Sequence, residues 1–484
     1  MRSTIAVIGV ALTGTFHLTW ALLPLALNAS CHSFVYRGCP SPLLAEFHTA
    51  RAAFVAEPNV CFVEDIDLTR PSPSMLYYPR HDVHAAKSCL LPGLPSAETY
   101  TGPVSAPNVV AFVNARAHTH RLPTGEINPL ASIARNLETQ LYTVPTTTTT
   151  SACKTIDAAD LTPALFEQYI LRNEPVIITR AASNLVNATE WSTQTLLDRI
   201  GNRQVHVKVS PTGVFEGCEP LAWWDGASDA IPDFVLNHLE SPDKVLVRPA
   251  ATNMPFASFI DRLTSALPSK TSYYLEYLSM ATYVPELMAN APQYPWATSS
   301  FLELDVANLW FGDGKSVGKL YFDAYENLMT MVAGEKEFVL FDPSDNRRLY
   351  EGHMREAQFE RDDYDSTVIH RRKLMESTSM VNSPIDIDDP LDIDRYPLFA
   401  SATALRCKVR EGDTLFVPSF WWHEVRSTPA VHEPRNVAVN YWYKPLYTKE
   451  FPCKTCPLRF NLAYEHVLQT LAHAANTYRP SDEL

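Results

Sequence analysis

Basic side chains are in short supply. Forty Lys and Arg stand against 54 Asp and Glu, a formal charge of −14. Phosphate binding needs a basic surface, so this balance argues against nucleic acid as a partner. Glycine is sparse too, at 16 residues beside 37 prolines, while 46% of the chain is hydrophobic. That composition suits a globular, loop-rich protein rather than a disordered one, and 484 residues are enough for two domains. The acidic stretch at 361–394 carries Asp386-Ile387-Asp388-Asp389 but lacks the glycine and distal glutamate of a calcium loop, so it reads as a solvated excursion between strands.

At the N-terminus, Arg2 precedes an apolar run at 5–27, followed by Asn28-Ala29-Ser30 with a small residue suited to cleavage. This is a signal-peptide pattern covering 1–29, with an uncleaved membrane anchor as the alternative. The chain ends Ser481-Asp482-Glu483-Leu484, similar to the Lys-Asp-Glu-Leu retrieval signal. Together the two ends place the protein in the lumen of the endoplasmic reticulum. Nine cysteines fit that oxidising compartment. Cys31, Cys39, Cys61 and Cys89 have three possible pairings. Cys453-Lys454-Thr455-Cys456 has redox-motif spacing, but Pro452 and Pro457 bracket it and no βαβ unit surrounds it, so it reads as a local structural disulfide. Cys407, inside an apolar strand pattern, is the candidate for a buried free thiol. Asn187-Ala188-Thr189 is a glycosylation sequon.

Val144-Pro145 followed by Thr146 to Thr150 has no apolar periodicity and reads as a linker over 144–152. It separates a region at 30–143 from one at 153–450, with a helical tail at 451–484. In the first region, 43–54 has helical spacing, 59–67 reads as a strand and 107–114 as a short helix or strand. In the second, Thr162 caps a helix with Pro163 at its first position, Asn173 and Pro175 end it, and Ser192 caps another helix that stops at Gly201. Strands follow at 176–179, 205–209, 245–247, 273–278, 307–311, 328–332, 337–341, 405–409, 414–417 and 437–443. Short strands separated by turns such as Ala333-Gly334 suit a barrel or jelly roll. Residues 461–478 read as a terminal helix.

The segment at 321–336 reads Tyr321-Phe322-Asp323-Ala324-Tyr325-Glu326-Asn327-Leu328, then Gly334-Glu335-Lys336. Further on come Tyr396-Pro397, Ala404-Leu405-Arg406-Cys407, Gly412-Asp413, Val417-Pro418, Trp421-Trp422-His423 and Asn440-Tyr441-Trp442-Tyr443. In this order, over 156–443, these motifs resemble the Jumonji-C family, and within it the small lysyl hydroxylases. Those carry His-x-Asp-His-Tyr-Glu-Asn-Leu and Gly-Glu-Lys in the corresponding places. The resemblance implies a mainly β fold with α, a double-stranded β-helix of the cupin or jelly-roll type, and an oxygenase using Fe(II) and 2-oxoglutarate. It implies iron ligation by Asp323 and His423, with Tyr321 where the missing histidine would stand, since such a centre uses two imidazoles and one carboxylate. It assigns Lys336 to the distal carboxylate of 2-oxoglutarate, and Asn327, Tyr274 and Asn440 to the walls of that pocket. Gly318 replaces a co-substrate-binding threonine, and Glu276 a glutamine. In relatives the terminal helix often serves dimerisation, so a homodimer through 461–478 is an expectation as well.

A weaker resemblance covers the first region. Pro40, Glu46-Phe47, the run Asn59-Val60-Cys61-Phe62-Val63-Glu64-Asp65, Tyr100-Thr101-Gly102 and Phe112-Val113-Asn114 are similar in order to a smaller α/β domain, thioredoxin-like, of the protein disulfide isomerase kind. Cys39-Pro40-Ser41-Pro42 stands where Cys-x-x-Cys would, so dithiol chemistry there is not expected. Two functions remain open. One is a catalytically impaired protein that binds a luminal protein or peptide. The other is an active dioxygenase hydroxylating luminal proteins.

Overall fold

The computed structural model describes residues 32–38, 41–57, 60–66, 74–78, 98–117, 119, 121–126, 128, 130–143, 152–182, 189–227, 231–264, 271–291, 294–362 and 368–477. The apolar N-terminal run, the threonine linker, Asn187 of the sequon, Cys31, Cys39, Cys89 and the C-terminal tetrapeptide lie outside these residues. Among the described residues no helix is long and apolar enough to cross a membrane. The chain divides into two compact units, Met1–Ile133 and Ala134–Leu484.

In the first unit, the strands His32–Gly38 and Val60–Ile66 pair in parallel. The helix Pro42–Ala53 makes the crossover that a parallel pair requires. Ser74–Tyr78 pairs antiparallel on the other side of His32–Gly38, and Glu98–Thr99 follows it at the edge. Residues 107–114 resolve as helix, within Ala106–Ala117. Phe34, Tyr36, Phe47, Val109 and Val113 form the core, with Phe62 stacked 5.7 Å from Phe34 and edge-on 5.1 Å from Phe47.

The division falls at Ile133/Ala134 rather than at the threonine run. The reason lies in the helix Leu130–Thr143, most of which belongs to the second unit. Its buried Glu138 accepts from the Phe460 amide (2.9 Å) and from Arg459 Nη1 (2.9 Å), and its Tyr142 hydroxyl accepts from the Leu458 amide (2.6 Å).

The second unit is built on a nine-stranded sheet and a five-stranded sheet. Across the larger sheet the order is Ala250–Pro255, Gln204–Ser210, Ser272–Ser279, Leu304–Gly312, Asn436–Tyr443, Glu326–Ala333, Thr414–Val417, Val176–Thr179 and Lys154–Asp157. The smaller runs Leu405–Val409, Glu335–Phe341, Trp422–Thr428, Val317–Phe322 and Val214–Phe215. Residues from both sheets, among them Met329, Met331, Leu415, Ala438, Phe338 and Leu340, share one core. Glu326–Ala333 is buried at every position. The helix Pro163–Leu171 begins as read: the Leu165 amide donates to Thr162 Oγ1 at 3.2 Å, with Pro163 at the first position. Replacing Thr162 by alanine orphans that amide and is expected to cost about 1 kcal/mol in a urea-unfolding comparison. Ser192 likewise caps Thr193–Ile200.

The described residues at 368–394 are more structured than a solvated excursion. Ile369–Ser379 pairs antiparallel with Met354–Arg361 in a separate four-stranded sheet, and the helix Pro390–Arg395 buries Asp392 against Lys244 Nζ at 2.5 and 2.6 Å. The acidic run is satisfied by cations instead: Lys319 Nζ lies 2.8 Å from Asp386, and Arg426 Nη2 lies 2.8 Å from Asp388. Cys407 is buried, yet it is no free thiol. Its strand lies beside residue 152, so Cys153 meets it, and the two form a disulfide with Cα atoms 4.9 Å apart. Cys218 is the free cysteine among the described residues. Cys453 and Cys456 are bonded to each other, and Cys61 is also disulfide-bonded. The C-terminal helix Glu465–Thr477 buries Val467 and Leu468 within the chain.

Candidate metal and co-substrate pocket

Between the two sheets lies a pocket with an empty volume of about 460 Å³. Val317–Phe322 pairs antiparallel with Trp422–Thr428 in a register that sets Tyr321 opposite His423. Directly opposed residues share a face of the sheet, and their rings meet with centroids 4.3 Å apart at 60°. Asp323, two residues beyond Tyr321, also lines the pocket. Its Oδ2 stands 3.6 Å from His423 Nε2. His423 Nδ1 donates to the Trp421 carbonyl at 2.9 Å, because a carbonyl can only accept. The tautomer so fixed leaves the Nε2 lone pair facing Asp323, the orientation a metal ligand needs.

Burial governs the charge of all three groups. It pushes His423 down to about 4, so the imidazole is neutral. Asp323, whose side chain keeps 22% exposure, is pushed up to about 7 by burial and then by the Glu216 carboxylate. Tyr321 is held well above the usual phenol range, by burial first and by Asp323 next, and stays protonated. An Fe(II) centre of this type asks for two imidazoles and a carboxylate. The pocket offers one of each and a neutral phenol, and among the described residues no three His, Cys, Asp or Glu side chains converge. This donor set differs from that of such a centre at one position, Tyr321.

The co-substrate end retains more. Lys336 is 1% exposed and donates to Tyr274 OH (3.1 Å) and Ser427 Oγ (2.8 Å). It makes no ion pair with a carboxylate among the described residues, and burial pushes it down to about 7. Its hydrogen bonds go to hydroxyls, and the Glu276 carboxylate is the charge that opposes the loss of its proton; an anionic ligand would favour the charged form further. Asn327 lines the pocket, but Asn440 lies behind it. Asn440 Nδ2 donates to Asn327 Oδ1 (2.8 Å), while its Oδ1 accepts from Trp310 Nε1 (2.7 Å) and Asn308 Nδ2 (3.2 Å). At Gly318 an added Cβ would meet only Tyr321 Cε1, at 3.8 Å, so there is room for a side chain.

Ser427, which holds the lysine, belongs to no motif; alternation along its strand is the only sequence signal that marks it. Glu276 Oε2 is buried and, among the described residues, has no hydrogen-bond partner. Burial, then Glu216, pushes Glu276 up to about 8. The folded protein thus keeps a proton here that the unfolded chain gives up above about 4.5, so this group's contribution to stability falls as pH rises from about 4.5 to 8. Glu276→Gln should therefore gain stability relative to wild type between pH 5 and pH 8, as read from urea midpoints. A constant difference would contradict the assignment.

The sequence matches the family model for a cupin-like domain over residues 162–449. It is 28% identical over 292 residues to the human "Bifunctional peptidase and (3S)-lysyl hydroxylase JMJD7", covering 59% of this chain and 82% of the relative. It is 27% identical over 300 residues to "JmjC domain-containing protein E" of Dictyostelium discoideum (58% and 81%), and 26% identical over 336 residues to "Lysine-specific demethylase JMJ32" of Arabidopsis thaliana (67% and 89%). The two-sheet architecture, the pocket and these matches agree: the chain belongs to the cupin-like, JmjC-domain family of 2-oxoglutarate-dependent oxygenases. Members of that family typically depend on Fe(II) and 2-oxoglutarate.

Proposed function

We propose that this is a JmjC-domain protein of the lumen of the endoplasmic reticulum whose iron centre is disabled at Tyr321, and which acts by binding a luminal protein or peptide. One observation carries the reading: the protonated phenol of Tyr321 faces His423 and Asp323, where the second imidazole would stand. The luminal assignment rests on the apolar N-terminal run and the Ser-Asp-Glu-Leu ending, and the disulfides Cys153–Cys407 and Cys453–Cys456 suit it. In the first unit, the parallel β-α-β element followed by two antiparallel strands and a helix supports a thioredoxin-like fold, serving as a second binding module.

The competing reading, an active hydroxylase of luminal proteins, draws on Lys336, whose amino group, hydrogen-bonded to Tyr274 and Ser427, suits the distal carboxylate of 2-oxoglutarate. Decarboxylation of 2-oxoglutarate by the purified full chain, supplied with Fe(II), ascorbate and O₂, separates the two. Turnover no greater than that of an iron-free control is the expected result, and sustained CO₂ release would overturn the proposal.

A further inference from the structure

We propose that the Cys453–Cys456 disulfide is a second site of this protein, exchanging with the thiols of a protein dithiol. The inference is independent of the Tyr321 pocket. It starts from what the bond does not do for the fold. The stabilisation a crosslink gives through the unfolded chain grows with the loop it closes. Cys153–Cys407 closes a separation of 254 residues, Cys453–Cys456 one of 3. The hairpin around the second bond is already held without it. Tyr447 pairs with Phe460 across the two strands Tyr447–Thr448 and Arg459–Phe460. Lys449 is locked to Glu351, and the Leu458 and Phe460 amides are bound by Tyr142 and Glu138.

The location suits exchange. Cys453 and Cys456 are both partly exposed, with Lys454 and Thr455 between them exposed, whereas Cys407 is sealed in the core. An open groove of about 560 Å³ runs beside Cys456, walled by Tyr142, Pro343, Ser344 and Pro457. An extended peptide segment that carries a thiol can lie in it and reach the sulfur. Exchange proceeds by attack of a thiolate on one disulfide sulfur. The partner's first thiolate bonds to Cys456 Sγ as the Cys453–Cys456 bond breaks, and Cys453, which is partly exposed, leaves as a solvated thiolate. The partner's second thiolate then attacks its own sulfur in the mixed disulfide and releases Cys456. The partner loses two electrons and becomes a disulfide; Cys453 and Cys456 gain them and, with two protons, become thiols. A low-molecular-weight disulfide such as glutathione disulfide reoxidises the pair.

The test equilibrates the full chain in mixtures of glutathione and its disulfide, quenches with acid, alkylates, and reads each cysteine by peptide mass spectrometry, with Cys153–Cys407 as the internal reference. Cys453–Cys456 should pass between oxidised and reduced while Cys153–Cys407 stays oxidised and the circular dichroism is unchanged. The Cys453→Ser chain should accumulate glutathione on Cys456. A Cys453→Ser, Cys456→Ser chain should melt within a few degrees of wild type. Reduction of both bonds only together with unfolding, or no adduct on Cys456 in the folded single variant, would overturn the proposal and leave a structural bridge.

Discussion

A Tyr321→His, Gly318→Thr protein is expected to bind Fe(II) at least about 100-fold more tightly than wild type, since losing even an outer-shell partner of a metal ligand costs roughly 10 to 100-fold. The backbone is already arranged for it. Position 321 is opposite His423 in the ladder, and an imidazole there would project onto the same face as Asp323 and the bare Nε2 of His423. Two imidazoles and a carboxylate then complete the set that a protonated phenol breaks. Gly318 leaves room for the threonine side chain, with its nearest atom an ordinary contact away. Anaerobic titration against a competing chelator reads the gain. Equal affinities in the two proteins would show that residue 321 does not control the metal.

The second large effect is on stability. Lys449 and Glu351 have fully buried side chains, with Nζ 2.7 and 2.8 Å from the two carboxylate oxygens. The ammonium also lies 4.8 Å from the centre of the Phe322 ring, on the residue between Tyr321 and Asp323. Lys449→Ala strips the partner from a buried carboxylate, for which about 3–5 kcal/mol is the usual cost. Burial already raises Glu351 above the usual carboxylate range, and Lys449 is the main influence opposing that rise. The variant should show a clearly lower urea midpoint. Lys449→Met combined with Glu351→Leu should recover most of the loss, because replacing a whole buried pair with apolar groups of similar volume is often neutral. A single variant as stable as wild type would mean that water or a shifted side chain satisfies Glu351.

Much of the barrel was legible because its central strands are mostly apolar and bounded by turns. Glu326–Ala333 and Asn436–Tyr443 are buried at nearly every position, and runs of this kind mark strands enclosed on both faces. The caps at Thr162 and Ser192 were legible because one oxygen at one position decides them. The strands that hold the pocket were harder. Val317–Phe322 contains Gly318, Lys319 and Tyr321, and Trp422–Thr428 carries His423, Glu424 and Arg426, so their function spoils the apolar pattern that reveals a strand. Motif matches placed Asp323, His423 and Lys336 there; periodicity did not. Cys407 was misread because its partner lies 254 residues away, and long-range pairing leaves no local trace. The cation partners of the acidic run at 386–389 were not legible because Lys319 and Arg426 come from strands distant in sequence.

Visible absorption of the wild-type chain during anaerobic Fe(II) addition, followed by admission of air, tests most directly whether a protonated phenol has displaced a metal ligand. Iron should stay with the competing chelator, and no visible band should grow. Stoichiometric uptake with a phenolate-to-iron charge-transfer band would contradict this, since Tyr321 would then be a ligand rather than the group that disables the centre.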